Sequence, residues 1–600
     1  MSAENLTLAG EFATPTRDQW LELVHGVLKG APFDEKLVTH TYDGVAIQPL
    51  YTADTRVADG VPGITPFVRG SRPTGQLGGW DVRQYHADPD PVSTNAAILA
   101  DLERGVTSIC LRVGGTGLAI DDLDRALDGV YLDLAPIVLE IGGDARRAVE
   151  ALSALWSARG VLPSEALGNF GLDPTSEQIS MHDAVDIARR CSHTYAHVRS
   201  LVVDGSAVNA RGGSDVDELG CMLALGAMYL RALTVDELLD VDRALAQIEF
   251  RLAATNDQFS TIAKMRAARR LWARVAEVCG ASTDASAMRQ HAVTSRAMLT
   301  KRDPWVNILR STVACFAAGL GGADSITVLP FDDAIGLPDG FARRVARNTQ
   351  AVLINEANIA RVIDPGGGSW YIESLTDDFA RAAWSWFQQI EGAGGWEVAN
   401  ARGLISRQIE RTRDQRAENV ARRHQLVTGV TEFPDIDEAR VTRARPPATT
   451  VERYAAPFEV LRDRSDAAAE KGSRPAIFLA NIGPIAAHAA RSAFARTFFE
   501  IGGMGVLGSE VLDNATSAAT AFAASGLTHV VICSSDKLYE THAVAVAEAL
   551  RAAGATRIYL AGNPGESLER YVAAGIDEFI YVGCDALDAL GRAIATLGVA

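Results

Sequence analysis

From about residue 90 to residue 400, short apolar runs alternate with amphipathic stretches. VTSICLRVG, PIVLEIG, VRSLVVDG, IEFRLAAT, DSITVLP and ARVIDP read as strands; DARRAVEALSALWSARG, STIAKMRAARRLWARVAEV and DGFARRVARNTQAVLINEA read as helices. Repeated β-α alternation over about 300 residues predicts an α/β fold built on a (β/α)8 TIM barrel. Ahead of it, DQWLELVHGVLKG (residues 18 to 30) predicts a helix. The next segment, KLVTHTYDGVAIQPLYTADT, reads as extended and leads into a Gly/Pro-rich approach, GVPGITPFVRGSRPTGQLGGW.

Past the barrel the pattern changes. SRQIERTRDQRAENVARRHQL (406 to 426) alternates its charges and has a thin apolar stripe, which predicts a solvated connector helix. From Pro475 the β-α alternation restarts, with strands AIFLA, MGVLG, HVVICS, RIYLA and EFIYVG separated by four helical stretches. Five such units in about 125 residues predict a flavodoxin-like doubly wound domain, with any ligand at the carboxyl ends of its strands. No G-x-G-x-x-G or P-loop follows its first strand. The expected division is an N-terminal helical arm (1–40), the barrel (41–400), a helical linker (401–472) and the flavodoxin-like domain (473–600).

Composition narrows the function classes. The chain has 75 acidic and 57 basic residues, a formal net charge of −18 that leaves no cation excess for nucleic acid or an anionic membrane. The opening MSAENLTLAGEFATPTRDQW has no basic segment followed by an apolar core, and no apolar run approaches a membrane span, so a cytoplasmic location is expected. Seven scattered cysteines, never in a C-x-x-C pair, signal neither a disulfide framework nor a zinc site.

Specific text adds a resemblance. QPLYTADT, PFVRG, GWDVRQY, IAKMRAARRLWA, FDDAIGLPDGFARRVARNTQ and RVIDPGGGSWYIESLTDDFARAAW closely resemble adenosylcobalamin-dependent methylmalonyl-CoA mutases, over roughly residues 40 to 600. That family carries D-x-H-x-x-G after the first strand of its C-terminal domain. Its histidine is the lower cobalt ligand, its aspartate orients the histidine, and small residues on later strands make room for the nucleotide tail. Ungapped alignment on FFEIGG puts Ala487 at the ligand histidine and Ile485 at the aspartate. His488 is one residue late, about 100° around the helix, and reads as a partly exposed helix residue rather than a ligand. CSSDKL supplies Ser534 and Ser535 but Asp536 where an apolar residue is expected, and LAGNPG keeps Gly562 but has Asn563 for the second glycine.

The resemblance implies four barrel residues that are also missing. A tyrosine expected in the Gly/Pro-rich approach is replaced by Gly75 and Gln76, and a histidine expected past a strand by Ser206 and Ala207. A substrate-carboxylate arginine has no counterpart in ALGNFGLDPTSEQ, since no arginine lies between Arg159 and Arg189. Asp324 stands for a glutamine that faces the substrate.

Other conspicuous residues read plainly. Trp156, Trp272, Trp384 and Trp386 are expected to pack, DPGGGSW (Asp364 to Trp370) to form a turn, and KMRAARRLWARV to present a solvated or subunit-facing helix side. The chain thus resembles the small, non-catalytic subunit of heterodimeric methylmalonyl-CoA mutases, with no catalytic, cofactor-binding or metal residue of its own. The large catalytic subunit is the expected partner and the expected holder of adenosylcobalamin. The alternatives are a self-sufficient mutase using His488 as a shifted ligand, and a cofactor-free interaction protein with no mutase partner.

Overall fold

The computed structural model describes residues 15–55, 60–75, 78–176, 178–446, 449, 451–508 and 510–599. Eight parallel strands close into a barrel: β1 (Asp81–His86), β2 (Ser108–Val113), β3 (Ile137–Ile141), β4 (Leu167–Leu172), β5 (His197–Asp204), β6 (Ile248–Ala254), β7 (Gln290–Thr294) and β8 (Ser325–Thr327). Closure is made by β8 pairing with β1, Ser325 opposite Asp81 and Ile326 opposite Val82. Gly168 and Gly171 in β4 adopt positive φ where a Cβ would run into the backbone of Ile137 and Leu139, so this strand can approach β3 only without side chains there.

The outer helices bury their apolar stripes on the strands. Helix Asp215–Thr234 meets Trp386 at Gly220 and Trp272 at Gly226, so small residues let the indoles close in. Trp156, Trp272 and Trp386 are buried in this core, as packing requires.

After the linker, β9 (Ala476–Asn481), β10 (Gly505–Leu507), β11 (His529–Cys533), β12 (Arg557–Ala561) and β13 (Glu578–Ile580) form a parallel sheet in the order β10-β9-β11-β12-β13. This is the flavodoxin-like order, with its topological switch between β9 and β11.

The structure departs from the sequence reading in three places outside the site. ARVIDP is not a strand: Ile359–Arg361 is a 3-10 turn, and the chain bends at Asp364, whose carboxylate accepts from Arg69 Nε at 3.0 Å and Arg266 Nη2 at 3.1 Å. DPGGGSW does turn, and it opens directly onto helix Trp370–Gly392. Its Gly368 amide is used from within the chain, donating to Glu373 Oε1 at 2.9 Å.

KMRAARRLWARV is not a solvated face. Lys264, Arg266 and Arg269 are buried on helix Gln258–Val278; Lys264 pairs with Asp215 and Glu218 at 2.7 Å each, and Arg269 donates to the carbonyls of Phe67, Val68 and Gly321. Nor is the connector helix Leu404–Ala421 merely solvated. It buries Ile405, Ile409, Thr412, Arg416 and Val420, and Arg416 lies between the rings of Tyr42 and Tyr454, 4.5 and 4.9 Å from their centroids.

Candidate functional site at the barrel mouth and the sheet switch point

In a (β/α)8 barrel, chemistry is placed at the carboxyl ends of the strands. A cavity of about 320 Å³ lies there. The two-residue period of each strand turns Tyr85, Arg112, Glu140, Asp204 and Arg251 into it from β1, β2, β3, β5 and β6. Glu140 is the hub. It accepts from Arg112 Nη1 at 2.7 Å and the Tyr85 hydroxyl at 2.9 Å on one oxygen, and from Arg251 Nη1 at 3.1 Å on the other. Arg251 also reaches Asp204 at 3.2 Å, and Arg296, on the turn after β7, pairs with Asp333 at 3.0 Å while stacking 5.2 Å over Tyr85. From above, the linker contributes Thr449, which accepts from Arg112 at 3.3 Å, and Val451.

The charges set one another. Burial alone would raise the Glu140 carboxyl, but Arg251, Arg296 and Arg112 hold it below its ordinary value. Burial likewise opposes the charge on Arg251, and Asp204 and Glu140 more than offset it. Burial and the Glu140 charge push the Tyr85 phenol up, so it stays protonated and donates.

One layer deeper, Arg83 pairs with Glu249 at 2.8 Å and Asp81 at 3.1 Å and donates to Ser108 at 3.1 Å. His291 sits beside them, bonded through Nε2 to Thr327 at 2.8 Å; burial and the cations Arg83, Arg251 and Arg289 keep it neutral. Paired charges therefore fill the barrel axis from its amino end to its mouth. None of these residues was singled out from sequence, although those on the strands are charged or polar residues within strand segments, and that placement is the signal.

The positions singled out from sequence scatter. Ser206 and Ala207 do line the mouth, where the Ser206 hydroxyl donates to Asp204. The segment 166–178 supplies β4 and then Asp173 and Gln178 to the cavity, without a cation. Gly75 packs against Ile363, and Gln76 lies outside the described residues. Asp324 is not at the substrate end: it precedes β8 at the amino end of the barrel, where it pairs with Arg289 at 3.2 Å and accepts from the Gln290 amide at 2.8 Å.

At the switch point of the second sheet, helix Ile485–Ile501 follows β9. Ile485 is 65% exposed, and His488 is 5% exposed rather than partly exposed as expected. The reason is helical phase: His488 shares a face with Ala495 and Phe499, seven and eleven residues on, and that face packs on the sheet. Neither ring nitrogen has a hydrogen-bond partner, and burial holds the imidazole neutral. Beside it, Arg491 donates to the Ala561 carbonyl at 2.9 Å, pairs with Asp536 at 2.6 Å and stacks 5.2 Å over Tyr539. A Cβ at Gly562 would collide with that guanidinium. Among the described residues, no cluster of His, Cys, Asp or Glu is arranged to hold a metal ion.

Comparison with known proteins now decides the family. The sequence profile of methylmalonyl-CoA mutase matches residues 40–113 and 108–480. The chain belongs to the methylmalonyl-CoA mutase family. It is 50% identical to the methylmalonyl-CoA mutase small subunit of Streptomyces virginiae, over 100% of this chain and 99% of that one. It is 38% identical to the small subunit of Propionibacterium freudenreichii subsp. shermanii, over 100% and 98%. A protein named simply methylmalonyl-CoA mutase, from Rhizobium meliloti, matches at 31% over 70% of this chain and 64% of its own length.

Within this mutase family the cofactor is cobalamin, and the residues present do not fit it. The positions that alignment with the family motif gives to the ligand and its orienting partner hold Ala487 and Ile485, the nearest imidazole is turned onto the sheet, and the space beside Gly562 is taken by Arg491 and Tyr539.

Proposed function

We propose that this chain is the non-catalytic small subunit of an adenosylcobalamin-dependent methylmalonyl-CoA mutase, which interconverts methylmalonyl-CoA and succinyl-CoA in propionate metabolism. Cofactor and substrate are held by a large catalytic subunit, in a cytoplasmic heterodimer. The four-part division into arm, barrel, linker and flavodoxin-like domain belongs to this reading.

The observation that carries it is the double occupancy of the cofactor region. The lower-ligand pair is replaced by two aliphatic residues, and the tail space is filled by a paired, stacked arginine. The barrel supports the same reading, since an acyl-CoA entering it would meet an axis already filled by Arg83, Glu249 and Glu140 with their partners. End-to-end similarity to proteins named small subunit adds weight.

The contact with the large subunit is assigned first to helix Arg17–Leu28. It buries none of its residues, leaving Leu23 73% and Val27 80% exposed. Purified chain mixed with adenosylcobalamin should stay colourless after desalting and show no mutase turnover, and both properties should appear on adding the large subunit. A stoichiometric cobalamin spectrum from this chain alone, abolished by His488→Ala, overturns the proposal in favour of a shifted-ligand mutase.

A further inference from the structure

The hub of the barrel mouth has the form of a binding site whose ligand is part of the chain. The Glu140 carboxylate accepts from two guanidiniums and one phenol, which is how a protein holds a free carboxylate. The donors come from three different strands, β1, β2 and β6, and Glu140 from a fourth, β3. The group therefore converges in space and is not a local turn or cap. It borders the cavity, so a small molecule can reach that point once the Glu140 side chain is gone.

Donor capacity is also in excess. Arg112 Nε, Arg251 Nε and Arg296 Nη2 are buried without a hydrogen-bond partner, whereas no carboxylate oxygen lining the cavity is in that position. The other charged groups are committed elsewhere: Asp204 to Arg251 and Ser206, Asp333 to Arg296, and Asp173 to the Tyr229 hydroxyl at 2.8 Å. Without Glu140, Arg112 has no other ion-pair partner in the cavity, and Arg251 keeps one carboxylate of two.

We propose that Tyr85, Arg112 and Arg251 form a subsite for a small carboxylate, and that Glu140 occupies it as an intramolecular ligand. The barrel is thereby held in a filled state without any molecule from outside. The subsite is latent in the wild-type chain and opens when the glutamate side chain is removed. This holds whether or not the chain is a mutase subunit, since it concerns the barrel interior alone.

Chemical rescue tests it. Glu140→Ala in the full chain removes the carboxylate and leaves space for acetate or formate beside the three donors. Melting curves are recorded for wild type and variant in acetate, in formate and in chloride at equal ionic strength. The variant should melt lower than wild type in chloride and recover in acetate or formate along a saturable curve, while wild type responds equally to all three salts. Isothermal titration with acetate should show binding to the variant about ten-fold or more tighter than to wild type, as expected for a bidentate charge-assisted site.

Adding Arg112→Met to the variant should abolish the difference between salts. If Glu140→Ala does not fold in chloride, the yield of folded chain on refolding in acetate becomes the readout. A variant that is equally stable, or equally unfolded, in chloride, formate and acetate overturns the proposal.

Discussion

At the scale of single residues, the electrostatics of buried carboxylates give the sharpest expectations. Asp43, in the turn between Thr39–His40 and Ala46–Ile47, is half-buried against Ser214, Asp215 and Asp217 at the start of helix Asp215–Thr234, and the loss of solvent there pushes its carboxyl up to about 7. Because the folded value lies above the ordinary carboxylate value, the native state holds this proton longer than the unfolded state does. The stabilising contribution is complete below about pH 4 and is lost as pH rises through about 7. Asp43→Asn should therefore be more stable than wild type at pH 8, by on the order of 2 kcal/mol, with the advantage vanishing near pH 4. Urea denaturation across that range checks it, and an advantage independent of pH would refute it.

The same scale explains what sequence could and could not disclose about the site. The mismatch of Ala487 and Ile485 with the family motif was legible because a motif gives each residue one address. The gains at Glu140, Arg112 and Arg251 were not, because each residue looks like a lone charge until the barrel closes and brings β1, β2, β3 and β6 together.

Elements were read well where burial is uniform and poorly where cations are buried. Most barrel strands and all five strands of the second sheet carry their identity in local apolar runs, and the sheet order follows from their spacing. Helix Gln258–Val278 misled because arginine and lysine ordinarily mark the solvent face. Here they reach carboxylates and carbonyls supplied by segments far along the chain, such as Glu373 and Phe67. Arg266 is fully buried; its ion-pair partners are Glu373 at 2.7 Å and Asp364 at 3.1 Å, and it also donates to the Thr376 hydroxyl at 3.2 Å. Removing one carboxylate leaves a buried guanidinium undercompensated and frees the Gly368 amide as well. Glu373→Ala should cost about 3 kcal/mol or more in chemical denaturation. A loss below about 1 kcal/mol would mean that Asp364 alone satisfies the cation.

For the molecule as a whole, what is left uncovered matters as much as what is packed. Helix Arg17–Leu28 fully buries none of its residues and sets Trp20 edge-on to Phe33, and a 12-residue helix is marginal without tertiary support. If it docks on the large subunit, deleting residues 1 to 38 should weaken heterodimer formation while the remaining chain keeps its melting cooperativity. Co-elution of the truncated chain with undiminished affinity would remove the helix from the interface.

The arginine lodged beside Gly562 carries a consequence for the history of the chain. A deleted residue can return by one substitution, but a vacated space that has since been furnished cannot. If the proposed reading holds, placing histidine at 487 and aspartate at 485 would set a ligand pair against a slot already taken by Arg491, which is paired with Asp536, and by the Tyr539 ring. Each such filling would make the way back longer than the way out, so that a loss of the family's chemistry in this chain would act as a ratchet. On the proposed reading, the chain is then free to diverge only as a scaffold.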